Sequence, residues 1–438
     1  MFILNDELKD GVGILIEYYR KQKLEATKDS KWRVCNFIKG KSGRLLCTDK
    51  TYKRMSGGEH TDDDMVYDCM IRKLDFVFQG MDLSTSNKLS FIYRKLLEAV
   101  ERNDNHNIDL YSVQALAILN GYEQSLFFSE NIEIIKVIRN YYLESILMDE
   151  KTYLKYYEIW NAFEESLQVI IKELLYRYCH LTYHDITKLN ELSERIDLKN
   201  EMDAMMRVNY IGQLMFNKNA LDAYKNAESL VVYLESTENY DLLVSVYCIL
   251  VSICANLQAS KIDYYTQIIE TTLLKYGSQI STQRKAKCYY TLGMQFYSRK
   301  IIKKGYEYLC QAIRLNQLCF QEAGIYVRHT MYFYEVEPYD LLTFDPQAYS
   351  MRFQTLYRYF DLKDDYLRSI ESNMEVKEKL KILDVYILKE IVPLLNGEKI
   401  LIDLFQKEVD WIAGVSFSYT NARKFRLKME KFEEQTTL

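Results

Sequence analysis

Proline is absent from the chain until Pro338, and only Pro346 and Pro393 follow it in 438 residues. A proline ring removes a backbone donor and clashes with the preceding turn, so its absence over so long a stretch leaves the strongest helix breaker unused. Glycine, at fifteen residues, is nearly as sparse. The chain is therefore constrained toward long, closely connected helices, and the expected fold class is all-α. Its length exceeds one ordinary core, which points to two or more domains or a repeat array. With 48% hydrophobic and 27% charged residues, it has the composition of a globular protein rather than a disordered one.

The nine cysteines (Cys35, Cys47, Cys69, Cys179, Cys248, Cys254, Cys288, Cys310 and Cys319) include no CxxC pair, as expected for reduced thiols in a cytoplasm. The first residues carry Asp6, Glu7 and Asp10 and lack the basic start and apolar run of a signal peptide, so secretion is not expected. Leu242 to Ser260 holds no charged residue and approaches spanning length. Ser245, Ser252, Asn256, Gln258 and Ser260 lie within it and its neighbours are amphipathic, so a buried solenoid helix is expected there and no membrane association.

Charge is unevenly placed. From Arg20 to Arg54 twelve Lys or Arg face only Glu25, Asp29 and Asp49, a local charge of +9 in a chain whose net charge is −5. Such concentration points to a polyanion partner. Asp6 to Leu24 reads as a helix with Val12, Ile16 and Tyr19 on one face. Lys28 to Leu46, interrupted by Gly40 and Gly43, reads as a short helix and a basic loop. Thr48 is a good N-cap, Tyr52 and Met55 are spaced to face a core, and Gly57-Gly58 can stop a helix. That short helix leaves Asp49, Lys50, Thr51, Lys53 and Arg54 on its other faces, with groups able to reach base edges and phosphates. Thr61 to Asp64 then starts a helix with Val66, Met70 and Leu74 at i, i+4 spacing.

The run from Leu46 through Thr51-Tyr-Lys-Arg-Met, Gly58 and Lys73-Leu74 resembles the second half of an XRE or Cro/repressor-type helix-turn-helix. The Ser-Gln-x-x-Leu-Ala pattern of helix two is missing, and the spacing between helices one and three is longer than usual. The resemblance implies that residues 1–80 bind a double-stranded DNA operator. By position, Asp49, Lys50 and Arg54 match the base-reading face, with Thr51 beside them. Thr48 and Lys53 match positions nearer the phosphates, and Lys39, Lys41 and Arg44 would support on the backbone.

Amphipathic helices follow from Ser84 onward. Within Ser281 to Gln317, Leu292, Gly293, Phe296, Gly305 and Ala312 fall at tetratricopeptide (TPR) spacing, where small residues let two antiparallel helices approach closely. Steps of about forty residues back from Gly293 give Ser252 and Gly212, the register of a weak helical repeat. In that register the inner face carries Asn209, Gln213, Phe216 and Asn217, then Ile253 and Asn256, then Tyr290, Met294 and Tyr297. Amides beside aromatics suit an extended peptide, because an amide bonds both peptide N–H and C=O while rings cover apolar side chains. Residues 81–438 are thus expected to form a TPR-like superhelix.

A basic helix-turn-helix followed by such repeats resembles the RRNPP class of Gram-positive regulators and the related phage arbitrium receptors. That resemblance implies a cytoplasmic homodimer, a short signalling peptide in the repeat groove, and DNA binding that responds to it. Trp411, Ile412, Phe417 and Tyr419 would then form a capping or dimer-forming segment. The competing expectation is a helical-repeat scaffold whose N-terminal module no longer binds DNA and which docks a partner protein.

Enzyme chemistry finds no carriers and no cofactor is called for. His180 and His184 have helical spacing, but no nearby Cys or carboxylate pattern completes a metal site. Ser56-Gly-Gly58 lacks the strand and the Gly-Lys-Ser/Thr ending of a phosphate loop. No nucleophile elbow or acid pair is recognisable.

Overall fold

The helices start where short polar side chains can take up their first N–H groups. Asp63, Asp82, Asp104, Asp149, Asp185, Asp203, Asn219, Ser281 and Thr48 each accept a hydrogen bond from a backbone N–H two or three residues on. Each such cap is worth about 1 kcal/mol. Glycine rarely ends these helices. Lys28, Asp75, Asn103, Lys218, Glu238 and Lys300 instead adopt the left-handed conformation just past a helix end.

The computed structural model describes residues 6–144, 146–183, 185–258, 260–316, 321–336, 350–372, 374–395, 399–416 and 424–425. Among them it is all-α, with twenty α-helices and only isolated β-bridges. Two compact units are present, Met1–Val246 and Tyr247–Leu438.

The first unit contains α1 (Asp6–Thr27), α2 (Val34–Phe37), α3 (Asp49–Ser56), α4 (Asp64–Lys73), α5 (Leu83–Glu101), α6 (Asn105–Leu119) and α7 (Leu126–Glu144). It continues with α8 (Glu150–Ile159), α9 (Glu165–Tyr178), α10 (Ile186–Arg195), α11 (Ala204–Phe216), α12 (Ala220–Ser236) and the start of α13 (Tyr240–Leu257). One apolar core runs from Val12 to Met206. Its buried residues from Val12 to Leu74 belong to the same cluster as those of the later helices. Two glycines of α1 make this possible. A Cβ on Gly11 would lie 2.0 Å from the Ala162 carbonyl oxygen, and one on Gly13 would lie 2.1 Å from that of Met55. Only glycine allows backbone approach this close. Of the face expected for α1, Val12 and Ile16 are buried, and the Tyr19 hydroxyl donates to the buried Glu130.

The second unit holds the rest of α13, then α14 (Lys261–Tyr276), α15 (Thr282–Ser298), α16 (Ile302–Asn316), α17 (Gln321–Phe333), α18 (Met351–Ser372), α19 (Val376–Tyr386) and α20 (Lys399–Ser416). The α15–α16 pair packs through the small residues expected there. A Cβ on Gly293 would meet Leu309 Cδ2 at 2.6 Å, and one on Gly305 would meet the Gly293 carbonyl oxygen at 3.1 Å. Ala312 is fully buried beside them. The register does not repeat as a close contact at Gly212, where an added Cβ would reach only the Tyr176 hydroxyl at 3.8 Å. Ser252 returns its hydroxyl to the Cys248 carbonyl. No helix among the described residues is long and apolar enough to cross a membrane.

The C-terminal segment packs inward as far as it is described. Ile412 is buried, and Trp411 packs edge-on against Tyr366; Phe417 and Tyr419 lie outside the described residues. Beside Trp411 is a buried polar cluster. Glu408 accepts from Lys363 Nζ at 2.6 Å and from the Tyr359 hydroxyl at 2.8 Å, and lies 2.9 Å from His329 Nδ1. Lys363 also sits 4.2 to 4.4 Å from the ring centres of Trp411, Tyr332 and Phe333. Burial pushes the Glu408 carboxyl up, but the His329 and Lys363 contacts outweigh it and hold the carboxyl below its ordinary value.

Candidate nucleic-acid interface

The basic segment is built around α3. The Thr48 hydroxyl accepts from Thr51 N–H at 3.1 Å and bonds the Thr51 hydroxyl at 2.9 Å. Both hydroxyls are therefore engaged in the cap. Tyr52 and Met55 are buried as their spacing requires, and the Tyr52 hydroxyl donates to Glu17 of α1 at 2.7 Å. The helix stops at Gly57, whose N–H bonds the Lys53 and Arg54 carbonyls, and Gly58 follows at φ +89. Asp49, Lys50, Lys53 and Arg54 stand exposed on the remaining faces. Arg54 pairs with Glu59 at 2.6 Å, an exposed contact that a phosphate could replace.

Between α2 and α3, residues 38–48 depart from a helix-turn-helix. Instead of a short turn, the chain folds back as a small hairpin. Lys39 bridges Leu45, Leu46 N–H bonds the Ile38 carbonyl at 2.8 Å, and Gly40 N–H bonds the Arg44 carbonyl at 2.7 Å. Gly43, at φ +79, permits the tight return. Lys39, Lys41 and Arg44 are exposed on this hairpin. Lys73 of α4 anchors its base by bonding the Phe37 and Lys39 carbonyls, and Phe37 packs edge-on against Tyr52 with ring centres 6.0 Å apart.

Several cations of the window hold the fold together. Arg20, expected in the basic surface, is buried: it pairs with Glu17 at 2.8 Å and bonds the Trp32 carbonyl. Burial raises the Glu17 carboxyl, but hydrogen bonds from Arg20 and Tyr52, with the charges of Arg20 and Lys21, hold it below its ordinary value. Lys23 pairs with Asp75 and Lys31 with Asp29. Lys28, Arg33, Lys41, Arg44, Lys50 and Lys53 are exposed and have no ion-pair partner among the described residues.

Most residues expected to hold a peptide are engaged internally. Asn209 is buried, donates to Glu173, and receives the Tyr176 hydroxyl on its carbonyl at 3.0 Å. Tyr297 is buried and bonds Thr330. Tyr290 donates to Glu322, and Met294 packs on the core of the second unit. All four therefore bond or pack against residues of their own unit. The side chain of Asn256 lies outside the described residues. What remains is an edge on α10 and α11. Gln213, itself buried, donates through Nε2 to Asn190 Oδ1 at 2.7 Å, and the exposed Asn217 exchanges bonds with Asn190 at 3.1 and 3.2 Å. The exposed Phe216 lies 5.1 Å from the His180 ring. Asn190 had no motif to announce it; only the packing of α10 on α11 reveals it. His184 lies outside the described residues.

No protein-family model, curated protein or solved structure matches this chain.

Proposed function

We propose that this chain is a regulator that binds double-stranded DNA through α3 and the 38–46 hairpin. The observation that carries the reading is the set of exposed, unpaired cations Lys41, Arg44, Lys50 and Lys53, mounted on two elements whose bases are buried in the core. An eight-residue helix is about 12 Å long, the scale of a major groove. Lys50 and Arg54 are then the base-reading candidates, and Lys39, Lys41, Arg44 and Lys53 contact phosphates. Control by a short peptide is part of the proposal and rests on the Asn190, Gln213, Asn217 and Phe216 edge, where amides and an exposed ring meet. Homodimer formation, on paired half-sites, follows from the resemblance alone.

Selection from a random duplex pool tests the reading. The wild-type chain enriches a sequence, and the charge reversal Lys50→Glu with Arg54→Glu removes that enrichment while the far-UV helical signal stays. Retained enrichment in the double variant would refute the role of α3.

A second reading, a repeat scaffold docking a partner protein, is favoured by the hairpin that replaces the short turn of a helix-turn-helix. It predicts no duplex enrichment from the wild-type chain, together with a stable protein complex recovered on it.

A further inference from the structure

A cavity of about 490 Å³ lies within the first unit, bounded by the start of α1, the glycine that follows α3, α5, and the beginnings of α7 and α9. It is separate from the basic surface and from the amide edge on α11. Volumes of this order hold small molecules. Its lining includes the acidic residues Asp10, Glu164 and Glu165 and no Lys, Arg or His, although the Asp10 carboxylate lies 3.1 Å from His60 Nδ1. Glu164 is half-buried and caps α9 by accepting from Ser166 N–H at 3.0 Å, yet it has no cationic partner among the described residues. Burial, with the neighbouring Glu165, pushes its carboxyl above the ordinary value despite those cap bonds. Its oxygens accept only from the neutral groups of the cap, so a cation in the cavity would be its first charged partner.

Apolar side chains make up part of the remaining wall, with Leu8, Leu89 and Ala162 beside four aromatic residues. Tyr93, Phe127, Phe128 and Phe163 line the cavity and are buried, so their positions are fixed by the core. Phe127 and Phe128 present edge and face to each other at 5.4 Å. Apolar side chains beside a carboxylate favour a cation attached to an apolar body, held by charge at one end and by apolar contact at the other. Asn87 and Gln168 also line it and add hydrogen-bonding groups.

We infer that this cavity binds a primary amine carrying an apolar or aromatic body, its ammonium held at Glu164 and its body against Tyr93 and Phe128. Two sources share that chemistry, a free small amine and the N-terminus of a short peptide. The site is distinct from the α11 edge, and its occupancy does not depend on DNA binding, so either conclusion can fail without the other.

The test uses the full chain and ligand-observed NMR with phenethylamine, N-acetylphenethylamine and the dipeptide Phe-Gly amide. Phenethylamine is expected to bind, and its acetylated form, which has no charge, about tenfold more weakly. Glu164→Gln, which keeps a cap acceptor, should weaken phenethylamine binding by about tenfold with the melting temperature little changed. Ser90→Phe, which fills the cavity from α5, should abolish it. Tighter binding of the dipeptide than of phenethylamine assigns a peptide N-terminus as the source, and weaker binding a small amine. The inference is overturned if neither amine binds, if the acetylated form binds equally well, or if Ser90→Phe leaves binding intact.

Discussion

Replacing Gly13 with alanine tests how α3 is held. The added Cβ would stand 2.1 Å from the Met55 carbonyl oxygen and 2.8 Å from its carbon. Both obstacles are backbone atoms and neither can rotate aside, so α1 and α3 must separate by about 1 Å to restore a tolerable contact. That separation works against the burial of Tyr52 and Met55 and against the 2.7 Å bond from Tyr52 to Glu17. Overpacking of this kind costs about 3 kcal/mol at the upper end of its usual range, while glycine to alanine within a helix returns about 1 kcal/mol. The net loss is about 2 kcal/mol, a fall in melting temperature of about 4–8 °C for a unit of this size. Gly414→Ala is the control, because Gly414 is exposed on α20 and has no atom within 4 Å of the added Cβ. There the same chemical change should raise the melting temperature by about 2–4 °C. Thermal unfolding followed by circular dichroism reads both. If Gly13→Ala stabilises as Gly414→Ala does, the close approach of α1 to α3 is refuted.

Lys363→Met removes the ammonium bonded to the buried Glu408 and should cost about 3–5 kcal/mol in denaturant unfolding. Adding Glu408→Gln should recover much of that loss, whereas an additive penalty would show that the two groups are not coupled. Glu101 bears on pH. Burial first, and then the charge and hydrogen bond of Asp203, push its carboxyl from an ordinary 4.5 up to about 8. The fold therefore favours the protonated form, so this group's contribution is fully present below pH 4.5 and is lost as pH rises through about 8. Glu101→Gln should match the wild type near pH 5 and exceed it by about 1–3 kcal/mol near pH 9. Denaturant curves with the same pH slope in both proteins would refute the raised titration of Glu101.

The helical class was legible because it rests on composition and on caps that act locally. Thr48, Tyr52, Met55 and Gly58 take the positions their spacing implied, since a short capped helix is determined almost entirely by its own residues. Gly293 with Gly305 could be read for a similar reason, as small residues on successive helices announce a close crossing. Other features depended on partners remote in sequence. Gly11 and Gly13 bind α1 to Ala162 and Met55, so nothing within residues 1–80 could show that this segment shares a core with later helices. Helix ends at Lys218 and Lys300 were obscured because these residues occupy left-handed positions where glycine would be the readable signal. The expected groove drew on residue types whose neighbours were unknown. Asn209 was spoken for by Glu173 and Tyr297 by Thr330, and each pairing spans about thirty residues or more. Net charge misled in one respect, since Arg20 serves the interior of the same surface it seemed to decorate.

The most direct test of the central claim is the salt dependence of duplex binding, measured by fluorescence anisotropy on the selected sequence. Each phosphate contact contributes about 0.9 to the slope of log affinity against log salt. Reversing Lys39, Lys41 and Arg44 to glutamate should therefore reduce the slope by about 3 and weaken binding at low salt. A slope equal to that of the wild-type chain, or no duplex binding by the wild-type chain at low salt, would contradict a DNA-binding role for the hairpin and α3.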